Sequence, residues 1–118
     1  MRFDLLANET LYRGFFSLQR YRLRFEYFDG SWSEPIEREI FERGHAVAVL
    51  PYDPERGEVV LIEQFRPGAL DAPTGPWLAE IVAGMIEPGE SAEDVARRES
   101  DEEAGLAIDE LYPLTRYW

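Results

Sequence analysis

Only one segment of this 118-residue chain carries the signals that open and close a helix, so everything else must be strand, turn or loop. Ser91 with Asp94 three residues later forms a capping-box-like start, and Gly105 supplies the usual C-terminal stop, which predicts a helix over Ala92 to Ala104. That helix contradicts its own amphipathic pattern. At ~100° per residue Ala92, Val95 and Ala96 project from one side, the stripe that should meet a core, yet Glu99, Glu102 and Glu103 continue the same stripe. Glu99 and Glu103 lie one turn apart, with Cβ atoms about 5–6 Å from each other. They occupy the C-terminal half, where the helix dipole disfavours negative charge, and Asp101 adds to the repulsion with nothing local to compensate. Like charges on an inward face need a counter-charge. Carboxylate oxygens without His or Cys suit a hard cation such as Mg²⁺ or Mn²⁺; a solvated acidic face is the competing reading.

The strands around this helix fall into two groups. Tyr21 to Tyr27 alternates strictly, with Tyr21, Leu23, Phe25 and Tyr27 on one face and Arg22, Arg24 and Glu26 on the other. Asp29-Gly30 marks a turn, Pro35 to Phe41 resumes the alternation as the other arm of a hairpin, and Thr10 to Leu18 supplies a third strand. Residues 1–43 are therefore expected to form a small antiparallel β subdomain without a covering helix. Such a sheet buries little by itself and is expected to pack on the rest of the chain or on a second copy, as an intertwined homodimer. Over residues 44–118 the character changes. Ala46 to Leu50 and Val59 to Arg66 read as buried strands separated by a turn at Asp53 to Gly57. A Pro- and Gly-rich loop from Pro67 to Pro76 leads to another strand over Trp77 to Met85, and Pro88-Gly89 turns the chain into the helix. Leu111 to Trp118 is long enough for one more strand.

Composition narrows the function. Apolar residues at 45% and charged residues at 31% are ordinary for a folded soluble domain. Twelve basic residues, all arginine, against 24 acidic ones leave a net charge of -12, which argues against nucleic acid and membrane surfaces as partners. A phosphorylated ligand would need a few placed arginines or divalent cations. The absence of cysteine excludes disulfides, thiolate metal sites and cysteine nucleophiles, and fits a cytoplasmic protein. The opening MRFDLLANET has no apolar stretch of signal-peptide length and no window approaches a membrane span, so a soluble, unexported protein is expected.

Gly84 to Leu106 reads G-M-I-E-P-G-E-S-A-E-D-V-A-R-R-E-S-D-E-E-A-G-L. It resembles a complete Nudix box: Gly84, five residues, Glu90, seven residues, Arg98-Glu99, an apolar slot, one residue, Glu102-Glu103, one residue, Gly105 and an apolar residue. Ser100, in the apolar slot, is the one departure, a small residue expected to weaken packing there. The likeness continues toward bacterial ADP-ribose pyrophosphatases in Thr10 to Leu18, Glu39 to Ala46, Val60 to Gln64 and Val82 to Ile86.

This resemblance implies an α+β fold with a Nudix-type mixed sheet and the box helix. It also implies Mg²⁺- or Mn²⁺-dependent hydrolysis of a small nucleotide sugar, ADP-ribose yielding AMP and ribose 5-phosphate. The alternatives are another nucleoside diphosphate sugar such as GDP-mannose, and a non-catalytic nucleotide-binding module or inactive fragment. Under the resemblance Glu99 and Glu103 bind metal, Glu102 is a further ligand or acts through metal-bound water, and the Ala83 carbonyl completes the site. Glu90 and Arg98 pair to hold the geometry, with Gly84 and Gly105 shaping the backbone. Phe15 and Arg38, from different subunits, would stack on adenine, and Arg66 would reach the phosphates; His45 has no assigned role. Too few residues follow Leu106 for the remaining strands, the second helix and the loop bearing the general base of such enzymes. The chain is accordingly expected to be an amino-terminal portion of a longer enzyme, with the base beyond Trp118 and weak or no turnover in isolation.

Overall fold

The computed structural model describes all 118 residues, Met1–Trp118, and its backbone divides into two units, Met1–Gly44 and His45–Trp118. In the first unit β1 (Phe3–Arg13), β2 (Ser17–Phe25) and β3 (Ile36–Glu42) form one antiparallel sheet in that order. The third strand expected over Thr10 to Leu18 is in fact the end of β1, a turn and the start of β2. Gly14 donates its N–H to the Phe16 carbonyl at 2.8 Å and reverses the chain. Most of β1 escapes a period-two reading because its register slips twice, between Leu5 and Ala7 and between Thr10 and Tyr12, and each slip resets the alternation. The Tyr21 to Tyr27 strand stops at Phe25; Glu26 makes only an isolated bridge to Trp32.

No apolar residue of this unit is fully buried, and Phe3, Leu5 and Phe41 lie exposed. Cross-strand charges line the sheet instead: Arg24 to Asp4 at 2.7 Å and Arg20 to Glu9 at 3.4 Å. Arg2 pairs with Glu26 at 2.8 Å, and the Arg2 and Arg24 guanidiniums sit 5.4 and 4.7 Å from the Trp32 ring. Exposed pairs of this kind are screened by solvent and add little to stability.

The second unit contains β4 (Ala46–Val49), β5 (Tyr52–Asp53), β6 (Glu58–Val59), β7 (Ile62–Phe65), a 3₁₀ turn (Pro67–Ala69), β8 (Trp77–Glu80), β9 (Val82–Met85) and α1 (Ala92–Ala104). The α+β class is realised, with β4–β9, β5–β6 and β7–β8 pairing as separate antiparallel ribbons where one mixed sheet was expected. Two predicted strands each split in two. Val59 to Arg66 breaks at Val60, whose N–H turns to the Pro51 carbonyl at 3.0 Å. Trp77 to Met85 breaks at Ile81, so that β8 pairs with β7 while β9 pairs with β4. No strand forms over Leu111 to Trp118, and no helix is long and apolar enough to cross a membrane.

The core of this unit is small. Val82 of β9 and Val95, Ala96 and Ser100 of α1 are buried as the helix lies across β9 and β4. β4 is covered on one face only: Val47 and Val49 are half-buried, whereas Ala46 and Ala48 are exposed, in place of the fully buried strand expected. Ser100 is fully buried in the apolar slot with its polar atom satisfied, since its hydroxyl donates to the Ala96 carbonyl at 2.7 Å.

Both helix ends are capped as predicted. The Ser91 hydroxyl accepts the Asp94 N–H at 3.1 Å and donates to the Asp94 carboxylate at 2.6 Å. Gly105, at φ 64°, donates to the Asp101 carbonyl, and Leu106 donates to the Ser100 carbonyl. Ser91→Ala is expected to cost about 1 kcal/mol. Gly105→Ala should cost about 1–2 kcal/mol, because a Cβ is disfavoured in the left-handed region. Urea unfolding followed at 222 nm checks both; wild-type midpoints would show that α1 is held by packing alone.

Candidate functional site

α1 brings Glu99 and Glu103 against the backbone of β9. The Glu99 side chain keeps 14% of its surface exposed, and a Cβ built on Gly84 would overlap its carboxylate. Gly84 is therefore the one residue that lets this carboxylate lie on the strand. One turn on, Glu103 accepts the Ala83 N–H at Oε2 (3.2 Å) and the Gln64 amide of β7 at Oε1 (2.5 Å). The side chains of β7 alternate so that Ile62 and Gln64 are half-buried while Glu63 and Phe65 are exposed, which aims Gln64 inward.

The third glutamate does not join them. Glu102 is 57% exposed and turns aside to Arg98 at 3.2 Å, although the helical stripe placed it with the other two. Arg98 also donates to Glu99 at 2.7 Å and to Glu90 at 3.3 Å. This corrects the expectation that nothing local compensates the acidic stripe: Arg98 is an internal counter-charge for three carboxylates. Hydrogen bonds from Arg98 to Glu90 and then to Glu99 raise the arginine pKa above its usual value. The Glu87 N–H and then Arg98 hold the Glu90 carboxyl below the ordinary range.

No three acidic or histidine side chains converge on one point. Glu99, Glu103 and the Ala83–Gly84 backbone nevertheless form a set of hard oxygen donors with neither imidazole nor thiolate, and the missing side chain of Gly84 supplies the space. That donor set fits a divalent ion of the Mg²⁺ or Mn²⁺ type.

The other predicted contact residues each make contacts within their own unit. Arg66 grips Glu80 of β8, with Nε at 2.9 and 3.1 Å and Nη2 at 2.6 Å, and this bond holds Glu80 below the usual carboxylate range. In the first unit Phe15 sits at the β1–β2 turn, 91% exposed, its ring edge-on to Phe16 at 4.7 Å. Arg38 lies along β3 opposite Tyr21, its Nη1 donating to the Glu37 carbonyl. With Arg20, Glu37 and Glu39 it borders a shallow polar depression. His45 stacks edge-on against Trp118, with ring centroids 5.8 Å apart. Sequence reasoning missed Gln64 and Glu80. Gln64 could have been found as the polar residue sharing the inward parity of Ile62, but its partner is 39 residues away.

Comparison with known proteins bears on the same segment. Residues 42–118 match the model of the NUDIX domain. The chain is 59% identical over 114 residues to the ADP-ribose pyrophosphatase of Escherichia coli strain K12, an alignment covering 97% of this chain and 54% of that protein. It is 44% identical over 118 residues to the ADP-ribose pyrophosphatase of Haemophilus influenzae, covering 98% and 54%. It is 35% identical over 115 residues to a GDP-mannose pyrophosphatase of Yersinia pestis, covering 97% and 57%. The chain thus spans about half the length of the curated relatives it matches.

The depressed carboxyls set a pH dependence. Glu80 and Glu90 bind protons less readily folded than unfolded, so their stabilisation is complete above the unfolded carboxylate pKa of about 4.3 and is lost as pH falls through their lower folded values. Urea midpoints should be level from about pH 7 to 5 and fall below about 4.3. A midpoint that stays level down to pH 3 would contradict the ion-pair assignments.

Proposed function

The chain belongs to the NUDIX domain family, and on that premise we propose that it carries the metal-binding part of a hydrolase that cuts the pyrophosphate bond of ADP-ribose to AMP and ribose 5-phosphate. The observation that carries this reading is the placement of Glu99 and Glu103 on the Ala83–Gly84 backbone, inside the segment that matches the family. The choice of ADP-ribose is supported by the names and identities of the Escherichia coli and Haemophilus influenzae relatives; the Yersinia pestis relative favours GDP-mannose at lower identity.

In this reading Glu99 and Glu103 hold Mg²⁺ or Mn²⁺ through carboxylate oxygens, the Ala83 carbonyl adds a further oxygen, and Glu102 stands at the exposed rim. The metal supplies charge neutralisation for the pyrophosphate and an acidified water. Arg98 keeps the glutamates from repelling one another and, tied to Glu90, braces the loop before α1 against the helix. Gly105 ends the helix just after Glu103. Arg66 is oriented by its double contact with Glu80 through Nε and Nη2, which leaves Nη1 to meet a phosphate oxygen.

Base recognition falls to the first unit. Ser17 pairs with Glu42 and Tyr21 with Arg38, so Arg38 lies four strand residues from the turn that bears Phe15, roughly 13 Å away. In this reading a purine stacks between Phe15 of one copy and Arg38 of another. That arrangement agrees with a homodimer built through the exposed apolar residues of the sheet. The lack of cysteine supports a cytoplasmic setting.

The test is product analysis. A protein of the relatives' length carrying this chain is incubated with Mg²⁺ and, separately, ADP-ribose, GDP-mannose and NADH. Chromatography is expected to show AMP and ribose 5-phosphate from the first, with little conversion of the others. Glu103→Gln should lower turnover by several orders of magnitude with the circular dichroism spectrum intact. Full turnover of that variant at saturating Mg²⁺ removes the metal assignment, and preferential cleavage of GDP-mannose replaces the substrate.

A further inference from the structure

Of the three glutamates in the second half of α1, Glu103 alone has no cationic partner. Glu99 and Glu102 both pair with Arg98. Glu103 is held by two neutral donors, the Gln64 amide on one oxygen and the Ala83 N–H on the other. Arg66, just after β7, directs its three hydrogen bonds to Glu80 and meets Glu103 only as a charge through space, with no ion pair between them. Each oxygen of Glu103 thus gives one lone pair to a donor from a different ribbon, Gln64 from β7–β8 and Ala83 from β4–β9. The carboxylate plane is pinned on both sides while its charge and its remaining lone pairs stay available.

We propose that Gln64 is a positioning residue for the divalent cation: its amide orients the Glu103 carboxylate without neutralising it. The inference rests on the metal-dependent reading above and extends it to a residue outside the segment Gly84 to Leu106. The residue type follows from the task. A carboxylate at position 64 would repel Glu103, a cation would consume its charge, and an apolar side chain would leave one oxygen unheld and free to rotate. Glutamine alone among these reaches across, donates and stays neutral at every physiological pH.

The test is Mn²⁺ binding to a protein of the relatives' length carrying this chain, read from the loss of the free-ion signal in electron paramagnetic resonance, beside the thermal midpoint without metal. Gln64→Leu is expected to weaken Mn²⁺ binding about 10–100-fold. Gln64→Lys, which places an ammonium on Glu103, is expected to raise the metal-free midpoint and still suppress binding. A merely structural glutamine predicts another pattern, with the leucine variant losing thermal stability at wild-type affinity. Wild-type affinity in either variant overturns the inference and leaves the metal reading standing. Failure of the wild-type chain to bind Mn²⁺ overturns both. Should the leucine variant not fold, the affinity of the lysine variant decides.

Discussion

The close approach of α1 to β9 at Gly84 is the constraint on which the second unit depends. Val95, Ala96 and Ser100 seat the helix on Val82, and with no side chain at Gly84 the next residue on the inward stripe, Glu99, lies directly on strand backbone. A larger residue at Gly84 would displace the carboxylate or lift the helix off the strand. The same approach brings Glu103 within reach of the Ala83 N–H, so helix seating and carboxylate placement are one event.

Charge in this small core is managed in two ways. Arg98 gathers Glu90, Glu99 and Glu102 around one guanidinium, which offsets part of the repulsion along the last two turns of the helix. Glu103 receives neutral donors only. Under the proposed metal-dependent reading the difference matters: a carboxylate already neutralised by arginine must give up an ion pair to bind a cation, whereas one held by amides need not. A fold that neutralised every glutamate would be more stable and less able to take up metal, a familiar opposition between stability and activity.

Much of this was legible in the chain. Ser91, Asp94 and Gly105 predicted both helix ends because caps are local: the partners lie within a few residues, and backbone geometry dictates which side chains serve. The Tyr21 to Phe41 hairpin was legible for the same reason, since alternation and a turn residue suffice. β1 was not, because two register slips hide its alternation, and the breaks at Val60 and Ile81 were not, because changing partners in mid-run leaves no mark on hydrophobicity.

The acidic stripe is where reading and structure divide most usefully. Composition and spacing alone determined that α1 exists, that it carries glutamates on the side facing the core, and that some positive charge must answer them. Only the packed structure decided which charge answers which glutamate. Arg98 to Glu102 is a one-turn contact, but the turning of Glu102 away from β9, the cradle at Gly84 and the reach of Gln64 across 39 residues depend on how strands and helix come together. Local rules choose the elements; long-range contacts, which one-dimensional periodicity does not encode, choose the neighbours of each charged atom.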